Sequence, residues 1–283
     1  MRKASLLRSA KWPFILVLLL AFAAGALGYK PIIPDPNSSH DRWGTRPRDI
    51  IREFRAYTTS FDSKDGGIVY GIPEWVAYEI KPCREFLGEA PAGPGAWMTD
   101  STMGLAPTDE SYSNSTYDRG YMCPKFIAWR LGANACWNTH TTLNACPQSP
   151  SFSRGIWGDL DKEMAAWADV YKKSVWIICG PVILKDRAVQ WIGDAGEVRV
   201  AVPHAFFKIV IRESRDPERP HVLAFLYPHH HFYSEEGPYD HTPYLVSVDD
   251  IEELTGLDFL TALPDDIEEV VESTVATGLW TVW

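Results

Sequence analysis

The sequence predicts an α+β fold, a class in which strands and helices occupy separate runs of chain around one core. Three observations carry this. Val175–Val182 is an unbroken apolar run, the pattern of a buried strand. Further β-forming runs follow at short spacing, over residues 198–202, 206–211 and 222–227. Two stretches, 154–171 and 247–259, read instead as helices. The second has Ser247 as a cap, Asp249 and Asp250 at its positive end, and Gly256 to stop it.

A chain of 283 residues has room for one large domain or two small ones, together with a leader. Hydrophobic residues make up 46% of it, with 12 each of Trp, Tyr and Phe, enough for a sizeable core. The net charge of −10 excludes a protein that holds nucleic acid over its whole surface. Binding phosphate then requires a local basic patch. Arg119, Lys125, Arg130, Arg154 and Lys162 are close enough in sequence to form one, or to be ordinary solvated charges. There are five cysteines: Cys83, Cys123, Cys136, Cys146 and Cys179. An odd number leaves at least one thiol unpaired, and without a CxxC pair structural zinc is not expected.

Arg2, Lys3, Arg8 and Lys11 precede an apolar run over 12–27, with the small residues Ala24 and Ala26 near its end. Residues 1–28 therefore read as a signal peptide or signal anchor, shorter than the roughly 20 apolar residues of a full span. Export is expected: a periplasmic or secreted protein, or one anchored to the outer side of the cytoplasmic membrane if the segment stays uncleaved. Residues 29–47, with Pro31, Pro34, Pro36 and Pro47, read as a linker, and 48–283 as the domain. Apolar positions 50, 51 and 54 predict a short amphipathic helix over 48–55. β-formers at 57–61 and 68–70 flank a Gly- and Asp-rich turn, a hairpin pattern. Residues 74–79 continue as a strand, and a Pro/Gly-rich loop at 88–95 leads to Trp97.

The chemistry concentrates in three pieces. The first is Tyr117-Asp118-Arg119-Gly120-Tyr121-Met122-Cys123-Pro124. Leu143-Asn144-Ala145-Cys146-Pro147-Gln148 follows, and then Phe152-Ser153-Arg154-Gly155-Ile156-Trp157-Gly158-Asp159-Leu160-Asp161. In this order and spacing they resemble the signature of the DNA/RNA non-specific endonucleases, the ββα-metal family that includes endonuclease G and the Serratia-type nucleases. The likeness extends over residues 56–275. It implies a ββα-metal (His-Me finger) nuclease fold with a central, mostly antiparallel sheet flanked by helices. It also implies one divalent cation, Mg²⁺ or Mn²⁺, and DNA, RNA or a smaller phosphodiester as the partner.

The resemblance assigns roles residue by residue. Tyr121 stands where the family has its general-base His, beside Asp118 and Arg119. Ser153 stands at the metal-ligand Asn, and Asp161 at the acid that holds the metal's waters. Asn144 matches a second Asn that helps position the phosphate. Gly95 and Ala165 replace two phosphate-contacting arginines. Lys125, Arg130 and Arg154 are the expected nucleic-acid contacts.

Histidine suits proton abstraction because its pKa lies near neutrality. Tyrosine, with a reference pKa near 10, is ionised at about one part in a thousand at pH 7. Tyr121 is therefore a tyrosinate base or nucleophile, or a side chain that packs where a base has been lost. Ser153 is a short ligand or a cap for the following helix. His140, four residues before Asn144, is the candidate replacement base. His229-His230-His231 resembles a metal-binding tract, and His204 is expected to pack. Three functions follow: an exported metal-dependent nuclease with an altered site, an inactive nuclease-fold binding or structural module, or a hydrolase of another phosphodiester.

Overall fold

A computed structural model describes residues 40–46, 50–61, 69–83, 87–103, 106–216, 219–230, 233–234 and 236–281. The expected leader and most of the linker lie outside these residues. So do the turn at 62–68 and His231.

Seven strands build the central sheet: β1 (Ile50–Glu53), β2 (Thr58–Phe61), β3 (Pro73–Ile80), β6 (Val175–Val182), β9 (Ala205–Arg212), β10 (His221–Pro228) and β11 (Leu245–Val246). They lie in the order β1-β2-β3-β6-β9-β10-β11, and every neighbouring pair is antiparallel. Two small ribbons stand apart from it. One joins β4 (Asp118–Tyr121) to β5 (Ala145–Gln148), the other β7 (Gln190–Ile192) to β8 (Val200–Val202). The helices are α1 (Lys125–Ala128), α2 (Ala133–Asn138), the long α3 (Gly158–Tyr171), α4 (Val248–Thr255) and α5 (Asp265–Glu272).

Strand parity divides the sheet into two buried faces. Trp75 and Ala77 of β3, Trp176 and Ile178 of β6, and Phe207, Ile209 and Ile211 of β9 share one face with Val248, Ile251, Phe259, Leu260 and Ile267. Residues of opposite parity, including Tyr78, Ile177, Phe206 and Lys208, are also buried, and α3 packs against β3 and β6. Each fully enclosed aromatic side chain contributes about 1.5–3 kcal/mol. Because both faces are covered, the central strands read as apolar runs without alternation.

Several expectations are corrected. Residues 50–53 form an edge strand, not a helix, and turn through Phe54–Tyr57 into β2 (Phe54 N to Tyr57 O, 2.7 Å). Val69 and Tyr70 form no strand; β2 pairs directly with β3, and Tyr70 stacks on Trp191. Residues 40–46 belong to the domain rather than a linker. Trp43 is buried edge-on against Trp176, and Thr45 bridges Phe259. All five cysteines are free thiols. Ser247 caps α4 in a reciprocal box with Asp250, and Gly256 ends it at φ 65°. No described helix is long and apolar enough to cross a membrane.

Candidate active site

β4 owes its position to β5. Gly120 faces Cys146, and a Cβ on Gly120 would fall 2.1 Å from Gln148 Oε1, so a side chain there would force the two strands apart. Where β4 ends, Asn144 clasps the chain. Its Oδ1 accepts from Cys123 N (2.8 Å), and its Nδ2 donates to Cys123 O (2.9 Å) and Thr139 O (3.0 Å). Asn144 is fully buried, with its amide engaged by backbone. Here it positions the exit of β4, and no part of it faces solvent where a phosphate would bind.

Tyr121, the last residue of β4, packs its ring against Trp97 (4.8 Å between centroids) and His140 (5.6 Å, edge-on). Burial, with the nearby Cys136 thiol, pushes its phenol up to about 12. Tyr121 is thus a neutral aromatic side chain throughout the physiological range. His140 Nδ1 lies 3.3 Å from Cys136 O, and burial lowers its pKa below the usual histidine value. Gly93 makes room for it, since a Cβ there would clash with the imidazole.

The entry to α3 is irregular. The chain turns helical at Pro150–Phe152, widens over Ser153–Trp157, and breaks at Gly155 (φ −88°, ψ −119°) before α3 begins. A Cβ on Gly155 would lie 2.6 Å from Ser234 O, so its absence lets that loop cross. Ser153 has helical dihedrals (φ −59°, ψ −47°) and makes no side-chain cap, because the helical turn has already started before it. Trp157 ties this segment to β4, donating from Nε1 to Tyr121 O (3.3 Å).

Asp161 lies on the buried side of α3. Lys208, from the middle of β9, donates to its Oδ1 at 2.5 Å and sits 3.7 Å over the Trp157 ring. Lys208 is 0% exposed and Asp161 4%. Burial raises the Asp161 pKa above its ordinary value, against the pull of the Lys208 ammonium. A cation placed between Ser153 and Asp161 would meet one neutral hydroxyl and one carboxylate whose charge is already balanced.

The expected phosphate arginines are engaged with acids. Arg154 is bidentate to Asp118 (2.9 and 2.7 Å), and Arg130 to Asp169 (2.7 and 2.9 Å). Arg119 donates to Asp109 O (2.8 Å), with its Nε 2.8 Å from Asp109 Oδ1. Lys125 is half-exposed and Lys162 exposed. Ala165 is buried within α3, while nothing crowds the Cβ position of Gly95.

Of the histidine tract, the described His229 and His230 do not gather around one point. His229 bridges Ser149 N (2.8 Å) and Pro203 O (2.8 Å), while His230 stacks on Tyr233. His204 bridges Leu184 N and Ala188 O, a packing role. Sequence reasoning missed Lys208, although a lysine centred in the apolar run 205–211 is itself a sign of a buried partner. It also missed a chain in which Tyr227 OH meets His241 Nδ1 (2.9 Å) and His241 Nε2 approaches Asp159 (3.3 Å).

Residues 44–266 match a sequence model of the DNA/RNA non-specific endonucleases. A nuclease of Serratia marcescens is 28% identical over 208 residues, covering 70% of this chain and 72% of that protein. A nuclease of Nostoc sp. (strain PCC 7120) is 28% identical over 243 residues, 81% and 80% of the two chains. The solved EndoG chain of an EndoG/EndoGI inhibitory complex superposes with a TM-score of 0.64 at 22% identity, over 83% of this chain and 95% of that one. Its ββα-metal architecture accords with the antiparallel sheet and flanking helices described above. On the match across most of its length, this chain belongs to the DNA/RNA non-specific endonuclease family.

Proposed function

We propose that this protein is a nuclease-fold binding or structural module whose family site no longer drives phosphodiester hydrolysis. The observation that carries the reading is Tyr121. At the base position stands a phenol pushed up to about 12 and packed between Trp97 and His140. A group so far from neutrality is a poor acceptor of a water proton.

The family is of the divalent-metal-dependent nuclease type, and the residues present do not fit that ion as they stand. Ser153 offers a hydroxyl where a carbonyl would reach further, and Asp161 is drawn back onto Lys208. A hard dication needs several oxygen ligands with net negative charge. The arginine pairs with Asp109, Asp118 and Asp169 also disfavour phosphate, which would have to displace a carboxylate at each. The basic, apolar and small-residue order of 1–28 supports export of the domain.

A second reading, DNA or RNA hydrolysis at a low rate, is favoured by kinship. Both the Serratia and the Nostoc relatives are named nucleases. One experiment separates the two. Purified protein is incubated with plasmid DNA and with RNA in Mg²⁺, in Mn²⁺ and in EDTA. The module reading predicts no metal-stimulated cleavage. Cleavage that needs the metal and disappears in Tyr121→Phe would overturn it.

A further inference from the structure

On the opposite side of the sheet from Tyr121, three carboxylates converge. Asp249 and Glu252 sit three residues apart on α4, hence on one face, and Glu272 closes α5. One oxygen from each lies within 4.8 Å of the other two. Exposure grades inward: Asp249 is exposed, Glu252 half-buried and Glu272 8% exposed. Glu252 Oε1 already accepts from Phe259 N (2.7 Å), which fixes its orientation. Glu272 Oε1 is buried and has no hydrogen-bond partner.

That last atom points to a ligand. A buried carboxylate oxygen without a donor is costly, and the charged groups acting on Glu272 are all acidic: Glu252, Glu268, Asp249 and Asp258. Arg46, which acts on nearby Glu268, is paired with Asp258. We propose that Asp249, Glu252 and Glu272 form a site for a hard divalent cation of the calcium class, which joins α4 to α5. The donors are all oxygen and, once Glu272 has released its proton on binding, carry three negative charges. The set is open to water on the Asp249 side, so solvent completes the shell. Glu272 lies beyond the residues that match the family model, so the triad is no part of the family's signature. The site is independent of whether the protein hydrolyses nucleic acid.

The test uses the full chain, stripped with EDTA and dialysed, then titrated calorimetrically with CaCl₂ and separately with MgCl₂. One calcium should bind, with Kd on the order of 10⁻⁴ M, as for open acidic sites. Calcium at roughly tenfold that concentration should raise Tm. Glu272→Gln and Asp249→Asn should each weaken binding by roughly tenfold or more and remove the Tm rise. Asp186→Asn, a charge change at an exposed position outside the triad, should leave both unchanged. The proposal fails if calcium gives neither heat nor a Tm rise. It also fails if Glu272→Gln stabilises the apo protein while binding persists as in wild type, since Glu272 would then be a protonated carboxyl and not a ligand.

Discussion

Lys208 Nζ meets Asp161 Oδ1 at 2.5 Å in a region that neither side chain leaves for solvent. Such a pair is held by mutual need, because each charge alone would be stranded in a low-dielectric interior. Asp161→Asn should therefore destabilise the fold by about 3–5 kcal/mol in chemical denaturation. The double change Asp161→Leu with Lys208→Met removes both charges and should cost far less. Equal losses in the two variants would mean that packing, not charge compensation, governs this contact.

The proposed loss of base and ligand is testable by restoration. Tyr121→His alone, or Ser153→Asn alone, should leave metal-stimulated cleavage near background, because catalytic groups act as a unit. Tyr121→His, Ser153→Asn and Asp161→Glu together supply an imidazole, a carbonyl and a carboxylate one methylene longer. The triple variant should gain roughly 10²–10⁴ in plasmid cleavage, the usual worth of a general base. No gain would place the obstruction elsewhere, with Gly95 and Ala165 the next positions to restore.

Asn144 gives a purely structural prediction. Replacing it with Ala removes hydrogen bonds to Cys123 N, Cys123 O and Thr139 O and leaves a buried N–H unsatisfied. The loss should be about 2–4 kcal/mol, read as a lower denaturation midpoint with an unchanged m-value. Stability close to wild type would show that water replaces the amide.

Two titrations share one sign and one main cause, burial. Glu272 is raised from 4.5 to about 8, burial being the main cause and neighbouring acids the rest. Its folded-state pKa is above the unfolded one, so its contribution is complete below pH 4.5 and is lost as pH rises through 8. Apo protein should weaken across that window, and calcium should abolish the slope. Tyr121, raised from 10.0 to about 12, follows the same rule between those values. In ultraviolet difference titration of the folded protein, Tyr121→Phe should remove one phenol that ionises near 12. A phenol lost from the neutral range instead would revive the tyrosinate base.

Much of the sheet was legible in the chain because burial on both faces leaves little but apolar residues in β6, β9 and β10. The α4 cap was legible because Ser247 and Asp250 lie three apart and depend on nothing distant. Residues 48–55 misled because apolar positions 50, 51 and 54 suit a helix and a strand edge alike; pairing with β2 decided it. The candidate site residues stood out by motif, but their surroundings did not. Asp161 and Lys208 are 47 positions apart, so the lysine in its apolar run announces a buried partner without naming it. The arginines were likewise read as phosphate contacts or solvated charges, because nothing in the sequence pairs them with Asp109, Asp118 and Asp169.

Lys208 is also a register pin. Residues of β9 alternate between two apolar faces, and hydrophobicity alone distinguishes them weakly: Phe206, Ile209 and Val210 would be tolerable on either. A slip of one position would turn the ammonium away from Asp161 and onto the face of Trp75, Trp176 and Phe259. A single cation thus makes the alignment of β9 against β6 and β10 unambiguous. Every residue that the sheet holds in place, on both sides, inherits its address from that choice.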